Sequence, residues 1–257
     1  MFGSSDRDDT DATEPAAPAV GPNSPESSDQ APRELTPRPI AEVADTPGYS
    51  AVAEQIHRRM IQMFAIVEEA VAGATDALLT GDRERARALV ASDAALDELY
   101  VELQRLVHDR VVAGGLDADE TTWLLAALSM LPELERSGDL AEHVAQRAMR
   151  NLPGEIPARI RGYIERMGEI ACSMWRMAAD AYAEHMAGAE HIDLLDDELD
   201  DLHVQFIAEL VRGSVPVQVA VELALIGRFY ERLGDHAVNL TRRVPRRADI
   251  RTSAAGA

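Results

Sequence analysis

A short acidic motif occurs twice in this chain, and this repetition constrains the fold more than any other feature of the sequence. The pattern Glu-Arg-x-Gly-Asp stands at residues 135–139 and returns at residues 231–235, an offset of 96 residues. Self-similarity at one spacing indicates that a single supersecondary unit is used twice. The chain has 257 residues, which is long enough for two such units with a small core each. We therefore expect a tandem repeat.

The sequence around the motifs predicts helices. Aromatic residues make up only 4% of the chain, alanine and leucine are abundant, and no long stretch alternates apolar and polar residues. Gly81, Gly114, Gly213 and Pro245 stand where helices should end. Asp82 and the Asp117/Glu120 pattern should cap helix starts, as should Ser214, with Pro216 in the following first turn. Helices are expected at about residues 50–79, 83–113, 118–150, 157–187, 189–212 and 215–244.

These six segments predict an all-α fold made of a tandem repeat of two three-helix bundles. The first bundle is expected at residues 49–151 and the second at 155–245. Residues 1–48 are rich in Pro, Ser, Asp and Glu and offer little apolar surface to offset the entropy of ordering them. We expect a disordered acidic tail there, and a flexible C-terminal tail at residues 246–257.

The charge of the chain restricts its partners. The formal net charge is −20, and all 25 basic side chains are arginines. So acidic a surface repels nucleic-acid phosphates and disfavours a high-affinity receptor for free phosphate. The chain opens without a basic or apolar leader, and its apolar runs are too short to span a bilayer. We expect a cytoplasmic protein with no nucleic-acid partner and no integral membrane segment.

Each half of the chain carries two acidic pairs whose members are four residues apart. Residues 93–97 can be aligned with residues 193–197, an offset of 100, which implies a four-residue difference between the copies in a turn. Members of such a pair share one face of a helix, with Cβ atoms about 5 to 6 Å apart. The eight candidate residues are Asp93, Asp97, Glu135, Asp139, Asp193, Asp197, Glu231 and Asp235.

The pairs predict a metal site in each half. If the second and third helices are antiparallel neighbours, their pairs meet and offer four carboxylates, the oxygen ligands that Mg²⁺, Mn²⁺, Ca²⁺ or iron accept. Gly138 and Gly234 lie between the acidic residues of the motifs, although glycine inside a helix costs about 1 kcal/mol relative to alanine. Their use indicates close backbone approach or room for an ion.

The motifs resemble those of the PhoU family, the accessory regulators of phosphate transport. The resemblance covers about residues 50–244 and is most specific in the two Glu-Arg-x-Gly-Asp cores, with Asn239 following the second. It implies that the eight acidic residues bind metal ions, with Mg, Mn or Fe as candidates. It also implies negative regulation of phosphate uptake and starvation signalling, as an adaptor between a phosphate ABC transporter ATPase and a phosphate-sensing histidine kinase. We expect a homodimer and no enzymatic activity.

Other interpretations stay open at this point. Carboxylates that hold cations can activate water or oxygen, so a metal-dependent phosphohydrolase or di-iron oxidase is the alternative function. Glu54 and His57 have the Glu-x-x-His spacing of di-iron proteins, which we interpret as chance. The metals can instead be purely structural. His143 stands where the family has asparagine and is a further candidate ligand, and Pro132 is expected to kink the third helix.

Overall fold

The chain folds into six long helices in the part that the structure describes. The structure is a computed structural model and describes residues 51–150, 152–184, 189–213 and 215–244. A single helical turn, Leu152–Glu155, lies between the third and fourth long helices. The predicted all-α class is confirmed. The long helices are α1 (Ala51–Thr80), α2 (Arg83–Ala113), α3 (Ala118–Ala148), α4 (Ala158–Glu184), α5 (Ala189–Val211) and α6 (Val217–Arg243).

The predicted caps of the first bundle are confirmed. The Asp82 side chain accepts a hydrogen bond from the backbone N–H of Arg85 at 3.0 Å, and Asp117 accepts one from the N–H of Glu120 at 2.7 Å. Each carboxylate satisfies a donor that has no partner inside its helix. Gly81 ends α1 with a φ of 75°, a conformation that glycine adopts without steric cost.

One proline expectation turns out differently. Pro216 is the N-cap of α6 and has extended backbone angles, whereas we expected it inside the first turn. Its fixed φ suits that extended position, and α6 therefore begins at Val217. The expected cap Ser214 lies outside the described residues. Helix α3 continues through Pro132, and the kink expected there stays a prediction.

Each half of the chain is a bundle of three mutually packed helices. Helices α1, α2 and α3 contact one another, and so do α4, α5 and α6. Short connections within each bundle make neighbouring helices antiparallel. The predicted pair of three-helix bundles is confirmed. Large side chains fill both bundles, among them Phe64, Leu103 and Leu124 in the first and Trp175, Phe206 and Tyr230 in the second.

The bundles pack against each other through equivalent helices, α1 against α4 and α3 against α6. Between α1 and α4, Phe64 stacks on Tyr182 with ring centroids 5.3 Å apart and lies 6.2 Å from Trp175. All three rings are buried, so this contact removes a large apolar area from water. The second helices, α2 and α5, pack within their own bundles.

Buried polar side chains are paired across this interface. The hydroxyl groups of Thr75 and Tyr230 are 2.8 Å apart, and the Ser137 hydroxyl lies 2.8 Å from Nδ1 of His236. Burial, together with the nearby charge of Arg232, lowers the pKa of His236 to about 4. The imidazole is therefore neutral at physiological pH and joins the two third helices by a hydrogen bond between uncharged groups.

Several predictions concern residues beyond the described part. The acidic tail and the C-terminal tail fall on residues 1–50 and 245–257, which lie outside it. The boundaries given for the two bundles stay predictions. Among the described helices, none combines the length and the apolar character needed to cross a membrane.

Candidate metal centre

The first candidate site lies where α2 and α3 face each other around Gly138. A Cβ atom on this residue would overlap Cδ2 of Leu96 and would lie 3.2 Å from Oδ1 of Asp93. A larger residue here would force the Leu96 side chain to move, and Leu96 is buried in the core of the bundle. Glycine therefore brings the Asp93 carboxylate against the backbone of α3. We call this facing surface the first seam.

The second bundle repeats the arrangement between α5 and α6 around Gly234. A Cβ atom there would lie 2.7 Å from Cδ2 of Leu199, 3.2 Å from Oδ1 of Asp196 and 3.4 Å from Cε of Met174. One leucine and one aspartate thus face the glycine in each bundle. We call this surface the second seam. Close approach, the first of our two explanations for the glycines, is confirmed.

The seams correct the alignment of the second helices. Asp93 and Asp196 hold the same place against their glycines, so the offset between α2 and α5 is 103 residues and not 100. The copies differ by seven residues between the motifs, about two helical turns. This difference lies in the lengths of the helices and not in the turn that follows the second helix of each bundle. Helix α2 has 31 residues, whereas α5 has 23.

The correct register was present in the sequence. The pattern Asp-x-x-Leu-Asp-x-Leu occurs at residues 93–99 and again at 196–202. The buried leucines Leu96 and Leu199 set this register, whereas the alignment with residues 193–197 matched acidic residues alone and placed Asp196 opposite Leu96. In a chain with 45 acidic residues, matching carboxylates without the apolar positions is ambiguous.

In the first seam, the charges of the three other predicted residues and of Glu142 act on Asp93. Burial raises the pKa of Asp93 to about 6, and the nearby carboxylates add to the effect. The neighbouring charges that act most strongly on Asp93 are all negative. Burial also raises the pKa of Glu135, which faces Asp139 and Asp97. The first acidic cluster thus consists of Asp93, Asp97, Glu135, Asp139 and Glu142, of which Glu142 was missed.

The second seam gathers only part of the set predicted for it. Burial raises the pKa of Asp196 to about 6, with further contributions from Asp200, Asp235 and Asp193. Burial, and then the charge of Asp235, raises the pKa of Glu231. The second acidic cluster is accordingly made of Asp193, Asp196, Asp200, Glu231 and Asp235.

Two members of this second cluster were not predicted, and one predicted residue is outside it. Asp196 and Asp200 hold the positions that correspond to Asp93 and Asp97 in the first seam. Asp197 takes the place of Ala94 and is exposed. Asp193 lies at the edge of the cluster, where its Oδ1 accepts a hydrogen bond from Nη2 of Arg242 at 3.0 Å.

His143 and Asn239 face the other bundle and not the acidic clusters. The His143 ring stacks on Phe229 of α6, with centroids 5.5 Å apart. Asn239, its repeat equivalent, has Nδ2 3.4 Å from Oε1 of Glu133 in α3. Both positions therefore serve the interface between α3 and α6. The structure gives no support to His143 as a ligand in the first seam.

Glu54 and His57 lie far along α1 from either acidic cluster. Glu54 pairs with Arg58 at 3.1 Å, and the His57 ring lies 5.2 Å from the Tyr182 ring at the interface between bundles. Their Glu-x-x-His spacing therefore does not add ligands to the acidic seams.

The chemistry of the two clusters fits a hard cation. The candidate ligands in each seam are carboxylate oxygens. Burial and neighbouring carboxylates raise the pKa of Asp93 and Glu135 in the first seam and of Asp196 and Glu231 in the second, a cost to their charged forms that a bound cation would remove. In the described residues, no three histidine, cysteine, aspartate or glutamate side chains already converge on one point as metal ligands do. The seams thus supply suitable donors on facing helices without a finished coordination shell.

The repeat is recognised by comparison with known families. A family model described as the PhoU domain matches the chain twice, at residues 60–148 and 164–244, and the two matches together span more than half of the sequence. The chain belongs to the PhoU family. The two matched stretches correspond to the two bundles, and the resemblance drawn from the acidic motifs is confirmed.

Curated PhoU proteins match across both bundles. The phosphate-specific transport system accessory protein PhoU homolog 2 of Mycobacterium tuberculosis is 31% identical over 205 residues, which cover 76% of this chain and 94% of the relative. The phosphate-specific transport system accessory protein PhoU homolog of Caulobacter vibrioides is 26% identical over 197 residues, covering 75% and 86%. Nearly the whole length of these PhoU proteins is therefore represented here.

Solved PhoU structures share the fold. A crystal structure of PhoU from Pseudomonas aeruginosa matches with a TM-score of 0.71 at 23% identity, covering 76% of this chain and 95% of that one. A structure of the phosphate transport system regulatory protein PhoU from Streptococcus pneumoniae matches with a TM-score of 0.65 at 18% identity, covering 74% and 92%. The tandem three-helix arrangement is thus the PhoU fold.

The glycine of the second seam can be tested by adding one methyl group. Gly234→Ala should lower the free energy of unfolding by about 1–3 kcal/mol, because its Cβ overlaps Leu199 in a packed seam. Gly162→Ala is the matched control: this helical glycine has nothing within 4 Å of an added Cβ, so the change should stabilise the protein by about 0.5–1 kcal/mol. Urea unfolding of both variants measures the difference, and equal effects would contradict the close approach.

The raised pKa values predict a pH dependence for the metal-free protein. The carboxyl groups of Asp93 and Asp196 have a pKa of about 6 in the folded chain against an ordinary 3.8, so the folded state binds more protons between these values. The contribution of these two groups to the free energy of unfolding should therefore be largest below about pH 4. This contribution should be lost as the pH rises through about 6.

Asp93→Asn isolates this effect. At about pH 7 the variant should be more stable than the metal-free parent by about 1 kcal/mol, a figure reduced because the carboxyl group is partly exposed to screening solvent. This gain should decrease as the pH falls to about 4, because the carboxyl group of Asp93 in the folded parent is then protonated and is as neutral as the amide of the variant. Asp201→Asn, at an exposed position, is the control. Urea unfolding in chelator at both pH values measures this, and a pH-independent gain would refute the repulsion.

Proposed function

We propose that this chain is a cytoplasmic, non-enzymatic regulator of phosphate uptake and phosphate-starvation signalling. The observation that carries the proposal is the match of both bundles to the PhoU domain. Relatives that match over nearly their whole length bear the description of phosphate-specific transport system accessory protein. A protein with this role limits uptake when phosphate is sufficient.

The proposed partners are the ATPase subunit of a phosphate ABC transporter and a phosphate-sensing histidine kinase, with the chain acting as an adaptor between them, as a homodimer. They follow from the family resemblance. The architecture suits an adaptor because the bundles pack together through α1, α3, α4 and α6. The second helices take little part in that contact and leave one outward-facing helix on each bundle for partners. Basic partner surfaces complement a chain of net charge −20.

Metal binding at the two seams is part of this proposal. A hard cation such as Mg²⁺, Mn²⁺ or an iron ion would neutralise carboxylates that otherwise repel one another across facing helices. Bound metal then favours the packed form of α2 on α3 and of α5 on α6. Its role is to stiffen the surface offered to partners, and no catalytic step is required of it.

Adjacent aspartates on α5 provide a sharp test of the second metal site. Asp196→Asn should lower the metal bound per chain, because Oδ1 of Asp196 lies in the seam against Gly234. Asp197→Asn removes the same charge one residue later at an exposed position and should leave the metal content near that of the parent. Elemental analysis after equilibration with Mn²⁺ and desalting gives the stoichiometry.

Two results would contradict this assignment. Loss of metal in Asp197→Asn but not in Asp196→Asn would restore the alignment at an offset of 100 residues. Retention of full metal in Glu231→Gln/Asp235→Asn would remove the second seam as a metal site. The matched control is the double variant Glu165→Gln/Glu169→Gln on α4, which removes the same number of charges from two exposed glutamates four residues apart and should keep the metal content of the parent.

The regulatory role is tested in cells. In phosphate-replete medium, removing the gene should raise uptake of radiolabelled phosphate and derepress a starvation-induced phosphatase, because the limit on both is lost. Reintroducing the parent gene should reverse both changes. Unchanged uptake and phosphatase activity, in a strain without a second copy of the gene, would contradict the proposed function.

A further inference from the structure

A polar cleft lies at the junction of the two bundles, away from the acidic seams. It has a volume of about 650 Å³ and is formed by the turn between α1 and α2, the segment that leaves α3, and the start of α4. Arg83, Arg150 and Arg161 line it, with Glu155 as the acidic side chain in its wall. Arg83 opens α2 and lies ten residues before Asp93, about 15 Å along the helix axis.

The charge of this cleft is opposite to that of the chain. Acidic residues outnumber arginines by 45 to 25 in the whole sequence, but arginines outnumber acidic residues by three to one in the cleft wall. A cavity lined by one sign of charge concentrates ligands of the other sign. Anions are therefore attracted here although the chain as a whole repels them.

Two of the cleft arginines are held in place by contacts within the chain. Nη1 of Arg150 donates to Glu222 at 2.7 Å, but the same carboxylate also pairs with Arg147 at 3.0 Å, so one negative charge is shared between two guanidinium groups. Arg161 donates to the backbone carbonyl of Leu79 through Nη1 and so anchors its guanidinium beside the cleft. A guanidinium has five N–H donors in a planar fork, so a guanidinium that the protein holds in place can also bond to a ligand.

The geometry points to a binding site for a small phosphate-bearing anion in this cleft. Arginine forks match the oxygen atoms of a phosphate group and form short charge-assisted hydrogen bonds to it. The volume exceeds what a single phosphate group needs and lies in the range of small-molecule pockets, so a di- or triphosphate also fits. Because the wall is built from both bundles, a bound anion contacts both and favours their packed arrangement. The inference does not depend on any transporter or kinase partner.

Titration calorimetry on the full chain tests the site, with chelator present so that no metal ion can bridge the anion to the acidic seams. The probes are orthophosphate, pyrophosphate and ATP. Pyrophosphate should bind at least as tightly as orthophosphate, since it offers more oxygen atoms to three guanidinium groups. A further gain with ATP identifies a nucleotide as the ligand class, and equal affinity for all three probes identifies the phosphate group alone.

Variants locate the binding. Arg83→Gln should weaken binding of pyrophosphate about tenfold, which corresponds to the loss of one charge-assisted hydrogen bond, and Arg83→Gln/Arg161→Gln should weaken it further. Arg159→Gln is the matched control, because it removes an arginine of α4 that pairs with Glu209 outside the cleft wall. Thermal melting shows whether the variants fold. The single variant Arg83→Gln keeps the hydrogen bond from Arg161 to Leu79, so its effect on binding does not depend on losing that bond.

Two outcomes overturn the inference. The first is that no phosphate-bearing probe binds the parent chain at millimolar concentration in chelator. The second is that Arg83→Gln and the double variant bind pyrophosphate as tightly as Arg159→Gln does.

Discussion

Two helix pairs in this protein approach so closely that a single β-carbon added to the glycine between them would overlap a buried leucine side chain. At Gly138 and Gly234 the third helix of each bundle meets a leucine and an aspartate of the second helix. The leucine packs against the glycine in the apolar core. The aspartate lies beside further carboxylates, whose charged forms would be more stable in water than in this partly buried seam. The same glycine that permits packing thus creates an electrostatic problem, in both copies. Each seam is therefore well packed, but its carboxylates repel one another.

The rest of the fold can be understood from this conflict. The interface between bundles is built from aromatic rings, from hydrogen bonds between uncharged groups such as Ser137 with His236, and from paired charges such as Arg243 with Glu133. The second helices lie outside this interface, and the facing carboxylates of the seams lie on the hairpins that these helices form with the third helices. The second cluster is also partly compensated, since Arg228 donates to Glu231 and Arg242 to Asp193. In the first cluster the charges that act most strongly on Asp93 are negative, whereas the charge of Arg136 opposes the rise in the pKa of Glu135.

The sequence predicts the helices, the tandem repeat and most of the acidic positions, because glycine punctuation, capping aspartates and the Glu-Arg-x-Gly-Asp motif are local signals. It left the register of the second helices ambiguous. Acidic residues recur so often on α5 that Asp193 and Asp196 both have plausible counterparts in α2, and only the leucine that packs at Gly234 decides between them. Glu142 could not be found from the repeat, since Val238 is its equivalent. Placing His143 required knowing which face of α3 meets α6, which depends on tertiary packing.

We propose that cations stabilise this fold by relieving repulsion within the two seams. Differential scanning calorimetry of the full chain, first in chelator and then with increasing Mn²⁺ or Mg²⁺, measures this stabilisation. The melting temperature should rise with metal concentration and level off slowly, as expected for a ligand that stabilises by about 2.7 kcal/mol at a hundred times its dissociation constant. The same titration of Asp93→Asn/Asp196→Asn should show a much smaller rise. A melting temperature that metal does not change would contradict the claim.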